Sequence, residues 1–96
     1  MKNVKQVVSA VCCVMEGALP NAVLAEHRGS TRASDLRAVS MLIWRDLHPS
    51  DARPCYRVIG EAFHRDRRNV ARGIERIARK GLPTAEEKVR INDILK

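Results

Sequence analysis

The sequence predicts an all-α domain of five to six helices, and three observations predict it. Apolar residues recur at i, i+3, i+4 and i+7 in Val4, Val7, Val8 and Val11, and again in Val70, Ile74 and Ile77 with Gly73. Helix-capping residues and Gly or Pro breaks fall between those stretches at intervals that leave no room for strands. The chain has 96 residues, of which 45% are hydrophobic, enough for one modest core and a single domain spanning 1–96.

Asn3 caps a first helix running to about Glu16 and closed by Gly17, with Val4, Val7, Val8, Val11, Cys12 and Met15 on its inner face. Pro20 suits the first turn of a short second helix reaching about Glu26, because its missing N–H costs nothing there. Gly29-Ser30-Thr31 reads as a loop flanked by Arg28 and Arg32, after which Ser34 or Asp35 caps a third helix to about Leu47. His48-Pro49-Ser50-Asp51 breaks the chain, and Pro54 opens a fourth helix that ends near Phe63 or His64 and presents Tyr56, Ile59 and Phe63 to the core. Asp66 caps the fifth helix, which presents Val70, Gly73, Ile74 and Ile77 and stops at Gly81. Thr84 and Glu87 form a capping box for a C-terminal helix, about 84–95, carrying Val89, Ile91, Ile94 and Leu95.

Charge points to a partner. The chain carries a net +7, and residues 57–80 supply most of it: Arg57, Arg65, Arg67, Arg68, Arg72, Arg76, Arg79 and Lys80 stand against Glu61, Asp66 and Glu75. Arg68, Arg72, Arg76 and Arg79 recur at helical spacing, opposite the apolar residues of the fifth helix. Like charges four apart destabilise a helix by a few tenths of a kcal/mol per pair, roughly, and a polyanion relieves that repulsion while releasing its own counterions. Two amphipathic helices joined by a tight polar turn, with arginines crowding the start of the second, read as a helix-turn-helix over about 54–80.

These residues also carry a resemblance. The run Arg37-Ala38-Val39-Ser40-Met41-Leu42-Ile43-Trp44-Arg45-Asp46-Leu47, then Ile59-Gly60-Glu61-Ala62-Phe63, Arg65-Asp66 and Val70, resembles the C-terminal DNA-binding domain of the bacterial replication initiator DnaA. Order and spacing fit that family's arginine-started helix, its I-G-x-x-F helix and its R-D-H-T/S-T-V turn. Val4, Val7, Val8 and Val11 fit its first helix, and Leu24 with Arg28 and Arg32 fits its short second helix and basic loop. The resemblance implies a DnaA-like fold of the Trp-repressor-like superfamily and binding of double-stranded DNA at sites similar to initiator boxes, regulating replication initiation or transcription in the nucleoid. The chain departs from the family at the turn, where Arg65-Asp66-Arg67-Arg68-Asn69 replaces R-D-H-T-T, and at Asp51-Ala52-Arg53-Pro54. The donor pattern of arginine suits guanine O6 and N7.

Asp66, Arg67, Arg68 and Asn69 occupy the first turn of the recognition helix and are the candidates for base reading in the major groove. Asp66 serves equally as a helix cap, and each arginine serves equally as a phosphate contact. Arg72 and Arg76 lie deeper and suit the DNA backbone, with Arg65 beside them. Arg37 and Arg45 resemble family positions that touch the backbone, although Arg45 also neighbours Asp46. The resemblance places Arg28 and Arg32 in the loop that reaches the minor groove, where a narrow groove concentrates negative potential.

Other functions lack their residues. No G-x-x-x-x-G-K-[ST] loop supplies a nucleotide site, no triad or acid–base pair suggests an enzyme, and no cofactor is expected. Cys12, Cys13 and Cys55 form no C-x-x-C pair, and His27, His48 and His64 lack ligand spacing, so no metal is expected and Cys12 or Cys13 reads as a small core residue. The run from Val7 to Met15 is too short and too helical in pattern for a secretory core, and no stretch is long enough to span a membrane, which predicts a cytoplasmic protein. Trp44, Tyr56 and Phe63 are too few to stack single strands, so duplex DNA is the expected ligand. Two alternatives stand beside it. A protein-interaction module would use the first helix and an exposed Trp44 to bind the initiator or another replication protein, and a nucleoid-associated protein would bind DNA without sequence preference.

Overall fold

The computed structural model describes residues 2–25 and 30–96, and over these it is all-helical, with six α-helices and one 3₁₀ turn. They are α1 (Val4–Val14), α2 (Pro20–Leu24), α3 (Thr31–Leu47), α4 (Tyr56–Phe63), α5 (Arg67–Lys80) and α6 (Ala85–Leu95), with the 3₁₀ turn at Ser50–Ala52. The long α3 is the hub: α1, α2, α4 and α5 all pack on it, while α6 closes the far side of α1.

Local chemistry sets most of the boundaries. Asn3 accepts a hydrogen bond from the Gln6 amide at 2.9 Å while Gln6 Oε1 accepts one from the Asn3 amide, a reciprocal cap on α1. Thr84 and Glu87 repeat the device on α6. Pro20 opens α2, and Gly81, at φ 71°, closes α5 in the left-handed conformation. α1 stops at Val14, two residues short of the expected end, within the fraying normal for a helix terminus. Two starts differ more. The hydroxyl that caps α3 belongs to Ser30, which accepts from the Ala33 amide at 3.1 Å, so Thr31 and Arg32 are helical and neither Ser34 nor Asp35 is a cap. α4 begins at Tyr56 with Cys55 as its cap residue, because the extended backbone at Arg53 runs on through Cys55 before the helix turns.

The core draws on every long helix, with Val7, Val8, Val11, Leu36, Val39, Ile43, Ile59, Phe63, Val70, Ile77 and Ile91 all buried. Each large apolar side chain withdrawn from water contributes about 1.5–3 kcal/mol. The buried face of α1 is wider than its valine repeat suggests, taking in Ala10 and Val14, because α3 covers one flank and α6 the other. Val4 and Cys12 are half-buried at its edge, and Cys13 faces outward. On α6 only Ile91 and Leu95 are buried; Val89 and Ile94 remain 59% and 49% exposed, since α1 covers a single stripe of that helix. Tyr56 lies in the first turn of α4, short of the contact with α5, and is exposed where a core position was expected. Ile74 is half-buried.

The turn between α4 and α5 is three residues long. His64 ends α4 at φ 57°, ψ 48°, and the Arg65 amide donates to the Gly60 carbonyl at 2.7 Å. A Cβ on Gly60 would lie 2.3 Å from the Arg65 carbonyl oxygen, so only glycine lets the chain fold back this tightly. Gly81, by contrast, has open space around it and a positive φ. Gly60→Ala is therefore expected to cost about 3 kcal/mol, as over-packing against backbone does, and Gly81→Ala about 1 kcal/mol, the cost of a left-handed non-glycine residue. Urea unfolding of the two variants checks this ordering.

Candidate nucleic-acid interface

The turn after α4 delivers a cationic helix start to the surface. Asp66 caps α5, its carboxylate accepting from the Arg68 amide at 2.9 Å. Arg67, Arg68 and Asn69 follow in the first turn and Arg72 one turn on, all exposed. A helix N-terminus favours negative charge, and the first turn of α5 has no acidic residue and two arginines. That end of the helix is electrostatically suited to receive an anion.

Beside it, α3 and α5 frame a cleft of about 640 Å³. Ser34, Arg37, Ala38 and Met41 form the α3 wall; His64, Arg65 and Asp66 form the turn; Asn69, Arg72, Gly73 and Arg76 form the α5 wall. Arg37, Arg65, Arg72 and Arg76 line it, and among the described residues of its lining Asp66 is the one carboxylate. The cleft exists because α3 and α5 approach closely at its floor, where a Cβ on Gly73 would sit 3.1 Å from the Ala38 Cβ.

Its arginines are not equivalent. Arg37 is half-buried; its Nε donates to the Val23 carbonyl at 2.7 Å, while its Nη2 is buried without a hydrogen-bond partner among the described residues. Burial, and then the positive charges of Arg65 and Arg76, push its pKa down to about 10, which still leaves it charged at neutral pH. Arg65 is a tether: its Nη1 donates to the His64 carbonyl and its Nη2 to the Ala25 carbonyl, tying the end of α2 to the turn. Arg72 is exposed, and among the described residues neither it nor Arg67 or Arg68 has a carboxylate at ion-pair distance.

The row of arginines along α5 is not bare throughout, as the sequence had suggested. Arg76 turns back onto α3, where its Nε meets Asp35 Oδ1 at 3.0 Å, and Lys80 Nζ meets Asp35 Oδ2 at 2.8 Å. Arg79 pairs with Glu75 along the helix at 2.9 Å. The Asp35 side chain is only 6% exposed, and burial alone would raise its pKa; the hydrogen bonds and charges of Lys80 and Arg76 outweigh this and hold it below the ordinary carboxylate range. Asp35 was expected as a cap, and its true role joins residues more than forty apart. Its position three and four residues before the buried Ala38 and Val39 is the one sequence sign that it faces inward.

The remaining expected contacts lie elsewhere. Arg32 is not on a loop: it sits in the first turn of α3, and its Nε donates to the Glu16 carbonyl at 2.8 Å, just past the end of α1. Arg28 lies outside the described residues. Arg45 is two turns beyond Arg37, does not line the cleft, and pairs with Asp46 at 3.4 Å, where Lys88 also approaches. Trp44 is half-buried and packs edge-on against Phe63 and His48, with ring centroids 6.1 and 4.6 Å away. No helix among the described residues is long and apolar enough to cross a membrane. Comparison with known protein families, with characterised proteins and with solved structures gives no match, so the likeness to the initiator domain rests on the motif residues themselves.

The Asp35 cluster makes a stability prediction. Removing the carboxylate charge strands two cations that are themselves 38% and 42% exposed, so Asp35→Asn is expected to cost about 2 kcal/mol at neutral pH, less than for a fully buried pair. Because the folded pKa of Asp35 is depressed, this contribution is fully present above its unfolded pKa and fades as the pH falls through the folded one. Denaturant unfolding of parent and variant should show a gap at pH 7 that narrows steadily below about pH 4.

Proposed function

We propose that this chain binds double-stranded DNA with sequence preference, setting the turn between α4 and α5 and the first turns of α5 against the duplex as a helix-turn-helix. The observation that carries the reading is the cleft: the guanidinium groups of Arg37, Arg65 and Arg72 line one space beside the exposed Arg67 and Arg68. A phosphate oxygen is the natural complement of such a group. It would offset the mutual repulsion of Arg37 and Arg65 and match the planar fork of a guanidinium.

In this reading Arg67, Arg68 and Asn69 meet base edges, since they occupy the exposed first turn, and Arg37 and Arg72 hold phosphates on either side of the cleft. One oxygen of Asp66 is committed to the helix cap, which leaves the other to accept from a cytosine amino group. Arg65 contributes mainly by fixing the turn. The aromatic residues favour a duplex over single strands: Phe63 is buried and Trp44 packs against it, which leaves Tyr56 alone on the surface. The resemblance to the initiator domain extends the proposal to sites similar to initiator boxes and to regulation of replication initiation or transcription.

Two experiments test it. Selection from a random duplex pool at moderate salt is expected to enrich one motif, and the Arg67→Ala/Arg68→Ala double variant to lose or change it. Salt-sensitive retention without any motif would instead mark a nucleoid-type coat, and no retention would leave the protein-interaction alternative. In the second, Arg37→Met is expected to change the stability of the free protein by less than about 1 kcal/mol, since loss of the Val23 bond is offset by removing an unpartnered buried donor. It should nonetheless weaken DNA binding about tenfold and lower the salt slope by about one unit.

A further inference from the structure

The row Arg68, Arg72, Arg76, Arg79 is regular in the sequence but divided in the structure. Its first half, with Arg67, faces solvent with no carboxylate at ion-pair distance among the described residues. Its second half is engaged: Arg76 and Lys80 share the two oxygens of Asp35, and Arg79 holds Glu75. The two kinds of pair differ. Glu75 is 65% exposed on the same helix as its partner, whereas Asp35 is 6% exposed and projects from α3.

That difference decides which cations a polyanion can recruit. A free arginine that meets a phosphate displaces a condensed counterion and gains its release entropy. A cation drawn off Asp35 only exchanges one anion for another, and if both left, a nearly buried carboxylate would be stranded without a partner. We propose that Asp35 is a positioning residue that withholds Arg76 and Lys80 from the DNA-contacting surface of α5. Arg76 and Lys80 are held on α3, where they brace the α3–α5 crossing and stay out of the phosphate count. This rests on the DNA-binding reading above and sharpens it: of the cations along α5, the duplex recruits Arg67, Arg68 and Arg72 and not Arg76 or Lys80.

The test is the salt dependence of affinity for a short fluorescent duplex, measured by anisotropy, for the parent chain and Arg72→Ala, Arg76→Ala, Lys80→Ala and Asp35→Asn. Arg72→Ala is expected to lower the slope by about one unit, while Arg76→Ala and Lys80→Ala each leave it unchanged. Each of these last two keeps one cation on Asp35 and so keeps the fold, which thermal melting confirms. Asp35→Asn, which frees both cations, should steepen the slope by one to two units, roughly, and tighten binding about fivefold. If Asp35→Asn fails to fold, the two single-cation variants decide alone. A unit drop in slope for Arg76→Ala or Lys80→Ala, with the parent still binding, overturns the proposal and leaves the DNA reading standing. Absence of binding by both the parent and Asp35→Asn overturns the two together, and binding by Asp35→Asn alone supports the restraining role.

Discussion

The close crossing of α3 and α5 is the contact on which the other features depend. It is possible because Gly73 faces Ala38, where even a methyl group on the glycine would press against its neighbour at 3.1 Å. Bringing the backbones this near does two things at once. On one side of the crossing it sets Asp35 within reach of Arg76 and Lys80; on the other it sets Arg37 opposite Arg72 across the cleft. A larger residue at position 73 would push the helices apart and weaken both. The same principle recurs at Gly60, where the absence of a side chain lets the turn close and aims the start of α5 outward.

Charge in this chain is consequently organised by depth. Nearly buried Asp35 neutralises the inner end of α5, and Asp46 gathers Arg45 and Lys88 at the far end of α3. Among the described residues Arg67, Arg68 and Arg72, at the other end of α5, have no such compensation beyond the capping Asp66. A fold that merely needed soluble surface would gain nothing by placing the half-buried Arg37 beside Arg65 and Arg76, because burial and repulsion both disfavour its charge. Local frustration of this kind is expected where a partner supplies the missing group.

Much of the architecture was legible in the sequence because it is dictated locally. Asn3, Pro20, Asp66, Gly81 and the Thr84–Glu87 box act within a few residues of themselves, and each stands where its chemistry placed it. The alternating polar and apolar faces of α4 and α5 were equally readable through Ile59, Phe63, Val70 and Ile77. What escaped was set by tertiary contact. A serine one residue before a threonine looked like loop, yet Ser30 is the cap and Arg32 is helical, anchored to a carbonyl sixteen residues away. The periodicity of the arginines gave their spacing but not their partners, since the carboxylate that claims Arg76 lies forty-one residues upstream on another helix. Tyr56 and Val89 have the right spacing for a core and the wrong neighbours.

The α3–α5 cleft and the first two turns of α5 are proposed to form one anion-receiving surface. Amide chemical-shift mapping during titration with a short duplex tests it most directly, with the Arg37 side-chain Nε–H followed in the same spectra. Resonances of Ser34–Ala38 and His64–Arg72, together with Arg37 Nε–H, are expected to move along one saturating curve while those of α1 and α6 stay in place. Shifts centred on Val89 and Ile94 of α6, or spread evenly over every lysine and arginine, would contradict it.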